Sequence, residues 1–149
     1  PRTIGIVNYV SKAENRAFIA ADGDISLMYQ YDLDESLNKM DVVSVIYTRY
    51  ENQDGTVRYN VVACEKTDEE PPTSLVMKFK EPIKVIDTGL AFTKENNVFI
   101  ENRMVQTHNL MNGHVVSGVA VRSFNKKKNC WGWQATEILG VNATDSEIA

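Results

Sequence analysis

The chain has 149 residues and a formal net charge of −4 at pH 7, with 43% hydrophobic and 24% charged residues. That apolar share is too high for a disordered chain, and no apolar run approaches the ~18 residues of a membrane-spanning helix. The acidic total hides an asymmetry: residues 1–66 hold seven basic and ten acidic side chains, whereas residues 74–140 hold nine basic and five acidic, so a polyanion should meet the second half first.

In chain order, Gly5-Ile6-Val7-Asn8-Tyr9-Val10 reads as a first strand, mostly β-branched, with a polar residue at Asn8. Residues 11–15 form a turn and residues 16–19 a short second strand. Asp22-Gly23 marks the next turn, because such a pair tolerates positive φ, and residues 25–28 form a third strand. Residues 29–41, rich in Asp, Asn and Ser, read as irregular or partly helical, with Leu33, Leu37 and Met40 as anchors. Residues 42–50 form a long fourth strand, Asn52-Gln53-Asp54-Gly55 a hairpin turn, and residues 57–64 a fifth strand. A linker follows at 67–73, acidic through Asp68, Glu69 and Glu70 and centred on Pro71-Pro72, a stiff spacer.

The plan then repeats. Sliding residues 17–65 onto residues 90–138 without a gap lays Ile25-Ser26-Leu27 on Val98-Phe99-Ile100, Leu37 on Leu110, Val42-Val43-Ser44 on Val115-Val116-Ser117 and Arg49 on Arg122. Residues 76–79 and 83–86 compete for the first strand of this second copy, since Pro82 should interrupt a strand through both. Residues 89–92 form its second strand and 98–100 its third. Residues 110–113 close its irregular segment, 115–124 form its fourth strand and 131–138 its fifth. Residues 141–149 read as a frayed acidic tail. The expected fold is therefore all-β, two five-stranded OB barrels in tandem over residues 1–66 and 74–140, with an SH3-like or Tudor-like barrel as the alternative.

Little in the sequence points to catalysis. His108 and His114 lack partners at metal-ligand spacing and read as surface residues. The acids Asp22, Asp24, Asp32, Asp34 and Glu35 lack the calcium-loop spacing. There is no phosphate-binding Gly-rich loop, nucleophile motif or acid–base pair, so the expectation is a binding module, not an enzyme, with no metal and no cofactor. Cys64 and Cys130, one per copy, read as buried thiols of an intracellular protein. No signal peptide is visible and Pro1 suggests an excised fragment; the expected location is cytoplasmic, including an RNP granule, or nuclear.

The order of residues resembles the cold-shock domain family. Its opening strand is matched by Gly5-Ile6-Val7-Asn8-Tyr9-Val10, its central motifs by Asn15-Arg16-Ala17-Phe18-Ile19 and Asp24-Ile25-Ser26-Leu27-Met28, and its later Leu-to-Val segment by Leu37-Asn38-Lys39-Met40-Asp41-Val42-Val43. The second copy offers Gly89-Leu90-Ala91-Phe92, Asn97-Val98-Phe99-Ile100-Glu101 and Leu110-Met111-Asn112-Gly113-His114-Val115-Val116. The resemblance implies single-stranded RNA stacked on outward aromatics. Tyr9 holds the family's Trp position, and Arg16, Ser26 and Met28 replace central stackers, with Phe18 remaining. Phe92 and Phe99 are kept in the second copy, where Glu101 replaces a His. The copies are thus similar to the atypical cold-shock domains of Unr-type RNA-binding proteins, and more faintly, through Trp133-x-Ala135, to the amino-terminal OB-like regions of Armitage-type small-RNA helicases.

Two registers conflict at Phe92. The gap-free superposition pairs it with Ile19 and the family motif pairs it with Phe18; a one-residue slip reverses the face, and the reading leans toward core. Near the second copy's end, Lys126, Lys127 and Lys128 sit at a hairpin tip before Trp131 and Trp133, which share one strand face. This group suits a phosphate backbone and a base, a protein partner, or, for the tryptophans, the core. The expected contacts are Phe99, Lys126, Lys127, Lys128, Trp131, Trp133 and Phe92, with Tyr9 and Arg16 in the first copy. The expected partner is single-stranded RNA, held weakly and mainly by the second copy. The alternative is a protein-interaction scaffold in an RNP or small-RNA assembly.

Overall fold

The computed structural model describes residues 1–125 and 127–142. Two compact units, Pro1–Leu75 and Val76–Ala149, divide the chain. Each contains a five-stranded, barrel-like sheet, consistent with two OB folds.

In the first unit, β1 (Arg2–Ser11), β2 (Arg16–Ala21), β3 (Ile25–Tyr29), β4 (Val42–Glu51) and β5 (Val57–Lys66) lie in the order β3-β2-β1-β4-β5. β1 is shared between two neighbours: residues 2–6 pair with β4 and residues 6–11 with β2. The register slips at Asn8, so Val7 faces Ile19 while Tyr9 faces Phe18. Such a bulge sets one residue out of the ladder's register and re-aims its neighbour. Here the Val7 amide donates to the Asp41 carbonyl (2.9 Å) and the Val7 carbonyl accepts from the Met40 amide (2.8 Å). The irregular segment is thereby fastened to the sheet, and it contributes Leu37 to a core of Val7, Ile19, Leu27, Val43, Val45 and Val61. Each such side chain, taken from water, contributes about 1.5–3 kcal/mol.

Beyond β5, residues 67–75 run along this unit. The Thr67 amide donates to the Val42 carbonyl (3.1 Å), Glu69 pairs with Arg2, and the Ser74 hydroxyl bonds the Asp22 carboxylate (2.5 Å).

The second unit contains β6 (Val76–Val85), β7 (Ala91–Thr93), β8 (Phe99–Ile100), α1 (Asn102–Thr107), β9 (Val115–Asn125) and β10 (Cys130–Asn142). The strands close into a barrel in the order β10-β8-β7-β6-β9. Closure rests on parallel pairing of Gln134 with Phe99, between two otherwise antiparallel ladders.

β6 runs unbroken through Pro82, against the expected interruption. Pro82 is the last residue paired with β9, and pairing with β7 begins at Ile83. Its missing N–H therefore falls where one ladder hands over to the next, a place where a strand tolerates proline, and its carbonyl accepts from the Lys94 amide at 3.0 Å. The second strand is shorter than expected, because Gly89 (φ 85°) belongs to the preceding turn. Residues 102–107, expected within an irregular segment, form α1, which adds Val105 and Met104 to the core of Phe79, Ile83, Val98, Ile100 and Val116. Val141 and Asn142 belong to β10 and not to a frayed tail; residues 143–149 lie outside the described residues.

The cysteines differ from each other. Cys64 is half-buried, and burial pushes its thiol up to about 11. Cys130, expected to be buried, is exposed, because it starts β10 opposite Asn125, the ladder pair next to the hairpin turn. No helix among the described residues is long and apolar enough to cross a membrane.

Gly118 sets how closely β9 approaches its neighbours. A Cβ there would overlap the Glu137 carbonyl oxygen and lie 3.0 Å from the Phe79 ring, whereas one at Gly132 would meet nothing within 4 Å. Gly118→Ala should cost about 1–3 kcal/mol by overpacking. Melting followed by circular dichroism should show a lower midpoint for Gly118→Ala and an unchanged one for Gly132→Ala.

Candidate nucleic-acid interface

Alternation along the short strands of the second barrel decides which side chains face out. Ala91 and Thr93 are buried and Phe92 between them is not; Val98 and Ile100 are buried and Phe99 between them is not. Phe92 and Phe99 are register partners on β7 and β8, with ring centroids 5.6 Å apart and planes tilted by 55°. The leaning of Phe92 toward core is thus corrected. Phe18 faces out from β2 while Ile19 is buried, so Phe92 corresponds to Phe18, and the gap-free superposition slips by one residue there.

A residue that sequence reasoning missed holds this pair in place. Glu81, on the inward phase of β6, is only 2% exposed. One carboxylate oxygen accepts from the amides of Glu95 and Asn96, both at 2.8 Å, and the other from the Asn96 side-chain amide at 2.7 Å. These bonds pin the turn joining Phe92 to Phe99. The turn is tightened further by the Val98 amide, which donates to the Thr93 hydroxyl at 2.8 Å. Burial by itself raises the Glu81 carboxyl, but the bonds from Asn96, Thr93 and Glu95 together outweigh it and hold the group below the usual glutamate range. The available signal was one acid at the inward phase of an apolar alternation, Phe79-x-Glu81-x-Ile83.

The tryptophans lie elsewhere. Trp131 pairs with Phe124 and Trp133 with Arg122 across the β9–β10 hairpin. The Phe124 and Trp131 rings are 5.3 Å apart, and the Arg122 guanidinium stands 5.1 Å over Trp133. The next pair on this face, Ala135 with Ala120, is core, and Trp133 itself packs on the core. The hairpin therefore carries the barrel's inner face outward past its rim. Gln134, the register partner of Phe99, lies on the opposite face of β10. Phe92 and Phe99 thus form one surface, and Trp131 and Trp133 belong to another. Lys127 and Lys128 are exposed at the hairpin turn, where the Lys128 amide donates to the Asn125 side chain (3.2 Å); Lys126 lies outside the described residues.

In the first unit, the Asn8 bulge brings Tyr9 (49% exposed) onto the outer face beside Phe18, 6.0 Å between rings. The Arg16 guanidinium lies 5.9 Å from the same Phe18 ring. Tyr9 and Arg16 therefore meet through Phe18 and not directly. Arg16 is also paired with Glu14, and Lys66 with Asp41 at 3.3 Å, so these two cations are compensated. In the second unit Glu101 is offset by Arg103, 3.7 Å away.

Among the described residues, no group of three or more His, Cys, Asp or Glu side chains is placed to hold a metal ion. A shallow depression of about 500 Å³ opens among Ile83, Lys84, Lys94, Asn112 and Gly113. Lys84 is the register partner of Phe92, so this depression adjoins the aromatic pair.

Residues 77–138 match the family described as S1/CSD-like domain 2 of the TOTE conflict systems. The match runs from β6 into β10 and covers nearly all of the second barrel. No curated protein and no solved structure matches the chain.

Glu81→Gln should cost roughly 1–3 kcal/mol, because the new amide would turn a donor toward the Asn96 side-chain donor. A carboxyl held low in the folded state contributes stability above the ordinary glutamate pKa of about 4.3 and loses it as pH falls through the folded value. Urea unfolding should therefore separate the parent chain from Glu81→Gln widely at neutral pH, with the gap closing in acid.

Proposed function

We propose that the chain is a non-catalytic module that binds single-stranded RNA, mainly through its second barrel. The observation that carries this reading is the outward Phe92–Phe99 pair on neighbouring short strands. In OB barrels the faces of the second and third strands, with their flanking loops, hold oligonucleotides, and β7 and β8 are those strands here. The likeness of residues 77–138 to an S1/CSD-like domain supports the same reading. The matched family's description refers to conflict systems, and we extend that setting to this chain. The hairpin adds a second contact region, with Trp131 and Phe124 at its rim and Lys127, Lys128 and Lys126 as phosphate partners. Tyr9, Phe18 and Arg16 give the first unit a smaller stacking patch, weakened by Glu14.

A second reading rests on a separate observation. Ile46 and Val62, on adjacent strands of the first unit, are 46% and 51% exposed, which suits a protein contact. In that reading the chain is a scaffold and its RNA faces are idle.

Fluorescence anisotropy with a labelled oligo(U) of about twelve nucleotides separates the two, since one OB barrel covers ~4–16. The RNA reading expects binding at low salt, weakened roughly 30-fold or more by Phe92→Leu combined with Phe99→Leu, at ~1–3 kcal/mol per lost stack. No binding at low salt, or an unchanged affinity in the double variant, would overturn it.

A further inference from the structure

Accepting the RNA reading, the structure assigns a continuous phosphate path along the outer face of β6, which carries the bound strand away from the aromatic pair. The inward residues of this strand are Phe79, Glu81 and Ile83, all buried, so the intervening positions Lys78, Lys80, Pro82 and Lys84 face solvent. Three lysines thus stand on one face of one strand. Lys78 and Lys80 are spaced by ~6.6 Å, comparable with the phosphate repeat of an extended single strand, and Lys80 and Lys84 by about twice that, across Pro82.

The path begins at the aromatics. Lys84 is the cross-strand partner of Phe92 and shares the rim of the 500 Å³ depression with Lys94. Lysines at that rim, and no acid among its lining residues, make it a seat for the phosphate next to a base stacked on Phe92. From there Lys80 and Lys78 continue along β6 beside Ser117 and Val119 of β9, beyond the face formed by β7 and β8.

Charge compensation distinguishes these lysines from three cations of the first unit, among them the one beside its aromatic patch. Arg2, Arg16 and Lys66 are each ion-paired, whereas among the described residues none of Lys78, Lys80, Lys84 or Lys94 is. The nearest acids by position are Glu81, beside Lys80 on β6 but on its buried inward phase and bonded to the Glu95–Asn96 turn, Glu95, adjacent to Lys94, and Glu137, separated from Lys78 by the Val119 strand. Unpaired lysines release no partner when a phosphate arrives, so their whole charge is available for counterion displacement.

The full chain and a variant carrying Lys78→Gln, Lys80→Gln, Lys84→Gln and Lys94→Gln are titrated with the same oligo(U) at several salt concentrations. Each phosphate contact on a single strand contributes about 0.7 to the slope of log affinity against log salt. The slope should therefore flatten by nearly three in the variant, with an unchanged melting midpoint. A pair variant, Lys78→Gln with Lys80→Gln, should weaken the twelve-nucleotide probe while leaving one of about five nucleotides unaffected. Binding with the parent slope in the four-fold variant overturns the path while leaving the aromatic reading standing. Equal sensitivity of both probes to the pair variant overturns the directional claim. Absence of any binding by the parent chain removes both.

Discussion

The satisfaction of one buried carboxylate governs what the second barrel presents to solvent. Glu81 lies at an inward position where an unpaired charge would be costly, and the donors that satisfy it come from a four-residue turn, including two backbone amides and the Asn96 side chain. That turn joins strands of only three and two residues. Strands so short have little ladder of their own to fix their phase, and a slip of one residue would bury Phe92 and Phe99 and expose Ala91 and Ile100. The hydrogen bonds to Glu81 and the Thr93–Val98 contact set the phase, and the phase puts the aromatic pair outside.

The same alternation separates side-chain types around the barrel. On β6 it sorts a core row from a lysine row; on β10 it sorts Trp133 and Ala135 from Gln134. The aromatic pair and the lysine row therefore sit on the outer faces of β6, β7 and β8, while the hairpin tryptophans extend the inner face. The first unit uses a different device, the Asn8 bulge, to turn Tyr9 outward beside Phe18. Three of its cations, Arg16, Lys66 and Arg2, are paired with Glu14, Asp41 and Glu69, and Arg16 is the one beside the aromatic patch.

The strand signals, the hairpin at Asp54-Gly55 and the acidic and basic halves were legible in the sequence because each is written in local pattern, whereas the candidacy of Phe99 came from the family resemblance. The face of Phe92 was not, because the offset between the two units changes at bulges and turns that no single shift captures. The lysine row was hidden by Pro82. Read as a break, the proline divided Lys78 and Lys80 from Lys84, and the period-two pattern appears only once β6 is seen to pass through it. α1 escaped notice because six residues with no side-chain cap leave a weak local signal, and its stability comes from Val105 and Met104 packing into the barrel. Cys130 was placed inside on residue type alone, whereas its position beside a hairpin turn puts it outside.

An amide-shift titration of the whole chain with a short oligo(U) tests the central claim most directly, since it detects binding and locates it together. The account predicts the largest shifts at Phe92, Phe99, Lys84 and the Lys94–Asn96 turn, smaller ones along Lys80 and Lys78, and weak ones around Tyr9 and Phe18. Shifts confined to the first unit, or to the β9–β10 hairpin with β7 and β8 silent, would contradict it.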